Sequence, residues 1–478
     1  MEQINKMTQA DTIAAVSTPN GTGGIAVIRI SGSDALRIVS GAWIGKNLAD
    51  METHKATLGK YVATSGEILD EAVATVFRNP KSFTGEDVVE LSVHGSRWIQ
   101  REILSDLIRR GARTAMNGEF TQRAFINGRI DLAQAEGIAD LIASSSKASH
   151  ALAISQTRGR FSQELDDLRN QLIDFASLLE LELDFSEEDV EFADRIKLLL
   201  LAEAANDRIR RLTRSYSAGS VIKDGLPVVI AGVPNAGKSS LLNLMIGEDK
   251  AIVTDIPGTT RDLIEDTIEI DGILFRLTDT AGLRVSNDIV EATGIEKAKA
   301  KMRASRIVIW MLDPSTSTLP QIEELKSFIS EQESSKIIIL CNKCDIEENI
   351  SKVEALELTI KELADNAGKS AHWIADPIRF SAKTGEGIDI LHETLSRIAQ
   401  DGIDIYNEPI VTNARHYEAL YKGQQALTRA IAGIKDGLTA DFISQDVRET
   451  LHHIGTITGS ITTPDLLSTI FSRFCIGK

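Results

Sequence analysis

The sequence predicts a multidomain α/β protein. An N-terminal α+β domain occupies 1–126, an all-α domain is split into 127–224 and 400–478, and a phosphate-loop domain with a mainly parallel sheet, 225–399, is inserted between those pieces. Three observations carry this expectation. Strand-like and helix-like runs alternate up to about residue 126; the apolar spacing then becomes helical nearly throughout to Ser217 and again after Asp401; and a glycine-rich turn joins an apolar run to a helical pattern at 227–244.

In chain order, Ile25-Ala26-Val27-Ile28-Arg29-Ile30 and Val88-Val89-Glu90-Leu91-Ser92-Val93 read as strands, and Trp98 to Arg110 as an amphipathic helix stopped by Gly111. Leu165, Leu168, Leu172, Phe175, Leu178 and Leu179 recur at i, i+3/i+4 and i+7, the spacing of a buried helical stripe. His416 to Ile434 and Asp441 to Ile454 repeat that helical pattern. A helical domain interrupted by the inserted domain is the economical arrangement.

Gly232-Val233-Pro234-Asn235-Ala236-Gly237-Lys238-Ser239 follows the apolar run Pro227 to Ile230 and precedes the helical Ser240-Leu241-Leu242-Asn243-Leu244. Such a turn surrounds phosphate with backbone N–H groups and a helix N-terminus; Lys238 then reaches the β/γ oxygens and Ser239 holds Mg²⁺. A nucleoside triphosphate is the expected ligand, with Asn235, Ala236, Gly237, Lys238, Ser239 and Ser240 in contact with it.

The base is chosen about a hundred residues later, after the apolar run Lys336 to Leu340. In Asn342-Lys343-Cys344-Asp345, the Asp345 carboxylate can accept two hydrogen bonds from the N1–H and N2–H₂ edge of guanine, a donor pair adenine lacks. Ser381-Ala382-Lys383 fits the loop whose backbone N–H meets the guanine O6. Cys341 and Cys344 form a C-x-x-C by spacing, but the residues between them are the base motif, and no second Cys/His pair completes a metal site.

Between these landmarks, Asp279-Thr280-Ala281-Gly282 ends a predicted strand; Asp279 is expected to bind Mg²⁺ through water and the Gly282 N–H to touch the γ-phosphate. The segment Val253-Thr254-Asp255-Ile256-Pro257-Gly258-Thr259-Thr260-Arg261-Asp262 has the character of a first switch, with Thr260 as the second hydroxyl on Mg²⁺. The next residue after Gly282 is Leu283, which cannot polarise water. Two readings of Glu291 stand on the residues alone: it aligns the attacking water, or it is a solvated glutamate at a helix start.

With 52 Lys+Arg against 69 Asp+Glu, the net charge of −17 opposes nonspecific binding to a phosphate backbone, so any nucleic-acid contact is local or supplied by a partner. No apolar run reaches a membrane span and the N-terminus carries no targeting pattern, so a cytoplasmic location without membrane contact is expected. Three cysteines cannot build a disulfide framework.

Several segments converge on one family. Beyond the phosphate-loop domain these are Gly24 to Gly32, Phe83-Thr84-Gly85-Glu86-Asp87, Gly118 to Phe125, Asp131 to Glu136 and the terminal Phe474-Cys475-Ile476-Gly477-Lys478. Over essentially its whole length the chain resembles the tRNA modification GTPases of the MnmE family, also called TrmE. The resemblance implies an N-terminal tetrahydrofolate-binding domain that forms a homodimer, a discontinuous helical domain, and an inserted Ras-like G domain. It implies joint work with the FAD protein MnmG (GidA) in a heterotetramer, where FAD and NADH belong to the partner, to place an aminomethyl or carboxymethylaminomethyl group on C5 of the wobble uridine of tRNA.

The same resemblance places 5-formyltetrahydrofolate or a related tetrahydrofolate on Arg29, Glu90, Arg129 and Lys478, with Cys475 as a candidate nucleophile. It implies K⁺ held by Asn235, Thr254, Ile256 and Thr259, where it supplies charge beside the β- and γ-phosphates, and it selects the water-orienting reading of Glu291. The competing expectation is a ribosome-assembly or regulatory GTPase with the same switch and no one-carbon chemistry; folate binding separates the two.

Overall fold

The structure, a computed structural model, describes residues 11–185, 195–248, 266–279, 300–303, 305–316, 318–331, 335–367, 376–400, 409–472 and 474–477. Two compact units emerge, one from Met1–Ala143, Ala153–Arg211 and Glu418–Lys478, the other from Ser144–Leu152 and Leu212–Tyr417. The multidomain α/β class read from the sequence is the class observed, with a mixed sheet in each unit.

The first unit holds a seven-stranded sheet of β1 (Ile13–Val16), β2 (Ile25–Ser31), β3 (Trp43–Gly45), β4 (Lys55–Val62), β5 (Ile68–Phe77), β6 (Val88–His94) and β7 (Arg113–Thr114). Its order is β3-β4-β5-β6-β2-β1-β7, antiparallel except where β7 joins β1. Alternation along the strands sends Ala26, Ile28 and Ile30 of β2 and Val89, Leu91 and Val93 of β6 into one core with Ile103 and Leu107 of the Arg97–Arg109 helix. On the opposite face stand Val27, Arg29, Glu90 and Ser92, partly exposed.

That helix is fastened by a buried carboxylate. Asp106 accepts Tyr61 Oη at 3.0 Å, the Thr64 N–H at 2.9 Å, the Thr64 hydroxyl and Arg110 Nε at 2.6 Å. Burial pushes this carboxyl up, but the hydrogen bonds from Arg110, Thr64 and Tyr61 outweigh it and hold Asp106 below its ordinary value. In the helical part of the unit, the Arg160–Phe185 helix buries Leu165, Leu168, Leu172, Phe175 and Leu179 of the apolar stripe and leaves Leu178 half-buried at its edge. The Leu132–Ala143 and Pro464–Phe471 helices share a small core of Leu132, Ala135, Leu467, Ile470, Phe471 and Phe474, which brings the C-terminal residues beside the N-terminal half.

The second unit is built on β8 (Leu226–Gly232), β9 (Asp266–Ile270), β10 (Ile273–Asp279), β11 (Ile307–Leu312), β12 (Lys336–Cys341) and β13 (Ile378–Arg379). Their order is β13-β12-β11-β8-β10-β9, parallel throughout except for the β9–β10 hairpin. Both faces are covered, so the central strands are continuous apolar runs rather than alternating ones. Ile230, Ile309 and Leu340 pack with Leu241 and Met245 of the Lys238–Glu248 helix and Leu391 of the Ile388–Gln400 helix. Ala231, Trp310 and Ile339 face Leu325 of the Thr318–Glu331 helix and Ile360 of the Ile350–Ala367 helix. Ligands of such doubly wound sheets sit at the carboxyl ends of the strands.

Candidate functional site

The carboxyl ends of β8, β10 and β12 deliver the predicted nucleotide-site residues. After β8 the chain turns back into the Lys238–Glu248 helix, and the turn requires left-handed backbone at Asn235 (φ 62°) and Gly237 (φ 98°). A Cβ at Gly237 would lie 2.2 Å from Asn342 Nδ2, and one at Gly232 would lie 2.3 Å from the Met311 carbonyl, so both positions need glycine for space as well as dihedral. Lys238, buried, donates from Nζ to the carbonyls of Gly232 at 3.0 Å and Val233 at 2.8 Å. The ammonium is thereby held over the loop where phosphate oxygens would gather. Asn235, Ser239 and Ser240 are exposed, and Ala236 is buried.

Ser239 donates its hydroxyl to Asp279 Oδ2 at 2.7 Å. A hydroxyl and a carboxylate, one from the start of a helix and the other from the end of β10, form the hard-oxygen pair that suits Mg²⁺. Ser239 would hold the ion directly and Asp279 through its water.

Asn342 joins the two halves of the nucleotide site. It is 2% exposed, donates Nδ2 to the Ala236 carbonyl at 2.7 Å, and accepts the Ala382 N–H on Oδ1 at 2.9 Å. Asp345, exposed, accepts the Ser381 hydroxyl on Oδ1 at 2.8 Å, which fixes the carboxylate that would read guanine. Lys343 adopts φ 63° and donates Nζ to Asp313 Oδ2 at 2.6 Å. Asp313, 1% exposed at the end of β11, is pushed up by burial but held below the ordinary carboxylate value by hydrogen bonds from Lys343 and Ser315. Sequence reasoning missed Asp313; its signal was an acidic residue directly after an apolar strand. Lys383 is exposed beside this loop.

Cys341 and Cys344 sit within the same motif. Burial, with smaller contributions from Cys344 and Glu357, pushes the Cys341 thiol up to about 12; Cys344, also raised chiefly by burial, donates its thiol to the Cys341 carbonyl at 3.0 Å. Both are core-facing thiols rather than ready thiolates.

Thr254, Asp255, Ile256, Pro257, Gly258, Thr259, Thr260, Thr280, Ala281, Gly282 and Glu291 lie outside the described residues, as does Lys478.

In the first unit, strand register brings together two residues that are sixty-one positions apart in the chain. Arg29 on β2 is the cross-strand partner of Glu90 on β6, and its Nε and Nη2 both lie 2.8 Å from Glu90 Oε1. Among the described residues, the other Glu90 oxygen accepts no hydrogen bond and so offers an acceptor to a ligand. Phe83 and Phe120 flank the Arg29 guanidinium, each ring centroid 5.6 Å from Cζ. Arg129, exposed, runs past Gly85, where an added Cβ would meet its Cγ at 3.1 Å.

The chain end approaches the same sheet. Gly118 N–H donates to the Cys475 carbonyl at 3.3 Å, Asn117 pairs with Ile476, and Ser17 Oγ donates to the Gly477 carbonyl at 3.0 Å. Gly477 has φ 91°, and a Cβ there would lie 2.3 Å from the Val16 carbonyl. Only glycine permits this approach to the end of β1. The Cys475 side chain is exposed.

Comparison with known proteins gives a consistent result. Residues 12–129 match the family model described as GTP-binding protein TrmE N-terminus, and residues 132–475 match the MnmE helical domain. The chain is 48% identical over 472 residues to a protein of Cytophaga hutchinsonii named tRNA modification GTPase MnmE, covering 98% of both chains. It is 46% identical over 473 residues to the protein of that name from Bacteroides thetaiotaomicron, covering 98% of this chain and 99% of that one. To that of Flavobacterium johnsoniae it is 44% identical over 481 residues, covering 99% and 100%.

Proposed function

The chain belongs to the MnmE family of tRNA modification GTPases, and on that premise we propose that its GTP hydrolysis drives C5 modification of the wobble uridine in tRNA. It is a GTP hydrolase of tRNA modification. The observation that carries the site assignment is the Asn342 bridge, which holds the phosphate loop and both base-reading loops in one arrangement.

Within that reading, Lys238 bears on the β- and γ-phosphate oxygens, Asp345 accepts from the guanine edge, and the Ala382 backbone region meets O6. Ser239 and Thr260 would hold Mg²⁺, which would offset phosphate charge. Asn235, Thr254, Ile256 and Thr259 would hold K⁺, which would supply positive charge where the transition state gains negative charge. Glu291 orients the attacking water.

The N-terminal domain binds a tetrahydrofolate at Arg29, Glu90, Arg129 and Lys478. The free acceptor on Glu90 beside a pinned guanidinium supports this, because a pterin edge presents N–H donors and a folate tail presents carboxylates. The homodimer is supported by the same face of the sheet, where Ile25, Leu58 and Ile44 remain 71%, 69% and 59% exposed. MnmG supplies FAD, NADH and the bulk of the tRNA contact, which suits a chain of net charge −17. Residues 1–126, 127–224 with 400–478, and 225–399 are the three domains. No described helix is long and apolar enough to cross a membrane.

The test is GTP hydrolysis by the purified chain in potassium and in sodium at equal ionic strength, with Asn235→Ala alongside. Potassium stimulation that disappears in the variant supports cation-assisted hydrolysis; equal rates in both salts remove it and favour the regulatory-GTPase reading.

A further inference from the structure

The loop between β5 and β6 alternates in a way that a simple connection does not require. Ser82 and Thr84 are buried at 6% and 0% exposure, whereas Phe83 between them is 37% exposed. The inward residues are all fastened: Ser82 Oγ donates to the Glu86 carbonyl at 2.6 Å, Thr84 Oγ1 shares a 2.7 Å hydrogen bond with Ser31, and Asn127 Nδ2 donates to the Thr84 carbonyl at 2.7 Å. Glu86 accepts Ser31 Oγ at 2.7 Å and Arg123 Nη1 at 3.1 and 3.2 Å.

Arg123 is the root of this arrangement. It is 1% exposed, and its guanidinium also reaches Asp11 Oδ1 at 2.7 Å and Glu119 Oε1 at 3.1 Å. A buried cation among three carboxylates holds Glu86 in one place, and through Glu86 it holds the loop. The outward residues of the loop meet the two arginines assigned to the folate: Phe83 lies against Arg29, and Gly85 lies against Arg129. Arg29 cannot swing away, because Glu90 grips it and the fully buried ring of Phe120 flanks it.

We propose that Phe83 is a ligand-contacting residue that forms an aromatic wall for the flat heterocycle recognised beside Arg29 and Glu90, and that Glu86, held by Arg123, is the positioning residue that keeps it there. This rests on the tetrahydrofolate reading above. An exposed phenyl ring on a tethered loop, beside a fixed guanidinium and an unused carboxylate oxygen, presents an apolar face and an acceptor together. A pterin ring, flat and edged with N–H donors, matches both.

The experiment is equilibrium binding of 5-formyltetrahydrofolate to the full chain, with sedimentation to follow oligomeric state and thermal unfolding to verify folding. Phe83→Leu should weaken binding about tenfold and Phe83→Tyr should stay within about twofold of the parent, because the aromatic face carries the contact. Glu86→Gln should weaken binding in the parent but add nothing in the Phe83→Leu background, since it acts through that ring. A Glu86→Gln loss of equal size in both backgrounds overturns the positioning role. Unchanged affinity in Phe83→Leu, while Glu90→Gln still weakens binding, overturns the wall and leaves the folate reading intact. Dissociation of the dimer by Phe83→Leu at unchanged affinity assigns the ring to a subunit contact and overturns the proposal. A parent chain that binds no 5-formyltetrahydrofolate removes the folate reading itself and the proposal with it.

Discussion

Asn342 and Ala236, 106 positions apart, are joined by a 2.7 Å hydrogen bond from the buried asparagine amide to the phosphate-loop carbonyl. One small side chain therefore ties the base-reading and phosphate-binding segments directly together. Asn342→Ala leaves the Ala236 carbonyl and the Ala382 N–H without this partner, at about 1–3 kcal/mol for each buried polar group. Titration with a fluorescent guanine nucleotide should show affinity falling about tenfold or more, with little change in far-ultraviolet circular dichroism. Parent-like affinity would mean that the loops are positioned independently.

Asp345→Asn exchanges an acceptor for a donor at the base edge. Xanthine has a carbonyl where guanine has its amino group, so preference should move from GTP to XTP. The ratio of kcat/KM values should change by at least about a hundredfold, as is typical where a site's polar groups lose their partners. Steady-state hydrolysis of both nucleotides checks it.

Asp106→Asn should destabilise the N-terminal unit by about 2–4 kcal/mol, because Arg110 would lose its charge partner and Tyr61 and Thr64 a strong acceptor. Because the folded-state value of Asp106 is depressed, its contribution is fully present above the unfolded value and is lost as pH falls through the folded one. In the parent this loss falls below about pH 4. Acid titration of unfolding should therefore be shallower in Asp106→Asn. Parallel acid profiles would contradict the assignment.

A thiol reagent should reach Cys475 first, Cys344 next and Cys341 only on unfolding, following exposed, half-buried and buried positions. The fastest and slowest rates should differ by at least about tenfold. Mass spectrometry of partly labelled protein checks the order. Early labelling of Cys341 would mean that β12 opens readily.

What was legible in the sequence was what is contiguous in it. Gly232 to Ser239 and Asn342 to Asp345 announce their chemistry because a strand, a turn and a helix start must follow one another directly in the chain. The apolar stripe of Leu165 to Leu179 is equally local and appears as the buried face of one long helix. Arg29 and Glu90 are different: their pairing is a property of β2–β6 register, and only the family resemblance singled them out. Asp313 escaped entirely, and Phe83 and Arg123 entered only as members of segments that carry the family resemblance, with no role of their own. Their roles arise from a partner on another element, and no residue spacing encodes that Lys343 meets Asp313 or that Glu86 meets Arg123.

Hydrolysis at this nucleotide site serves tRNA modification. Nucleoside mass spectrometry of tRNA from cells that lack their own family member, supplied with the parent chain or with Lys238→Ala, tests it most directly. The parent should restore the C5-substituted wobble uridine, and Lys238→Ala should leave it unmodified. Equal restoration by both would contradict it, because the modification would then proceed without the phosphate-site lysine.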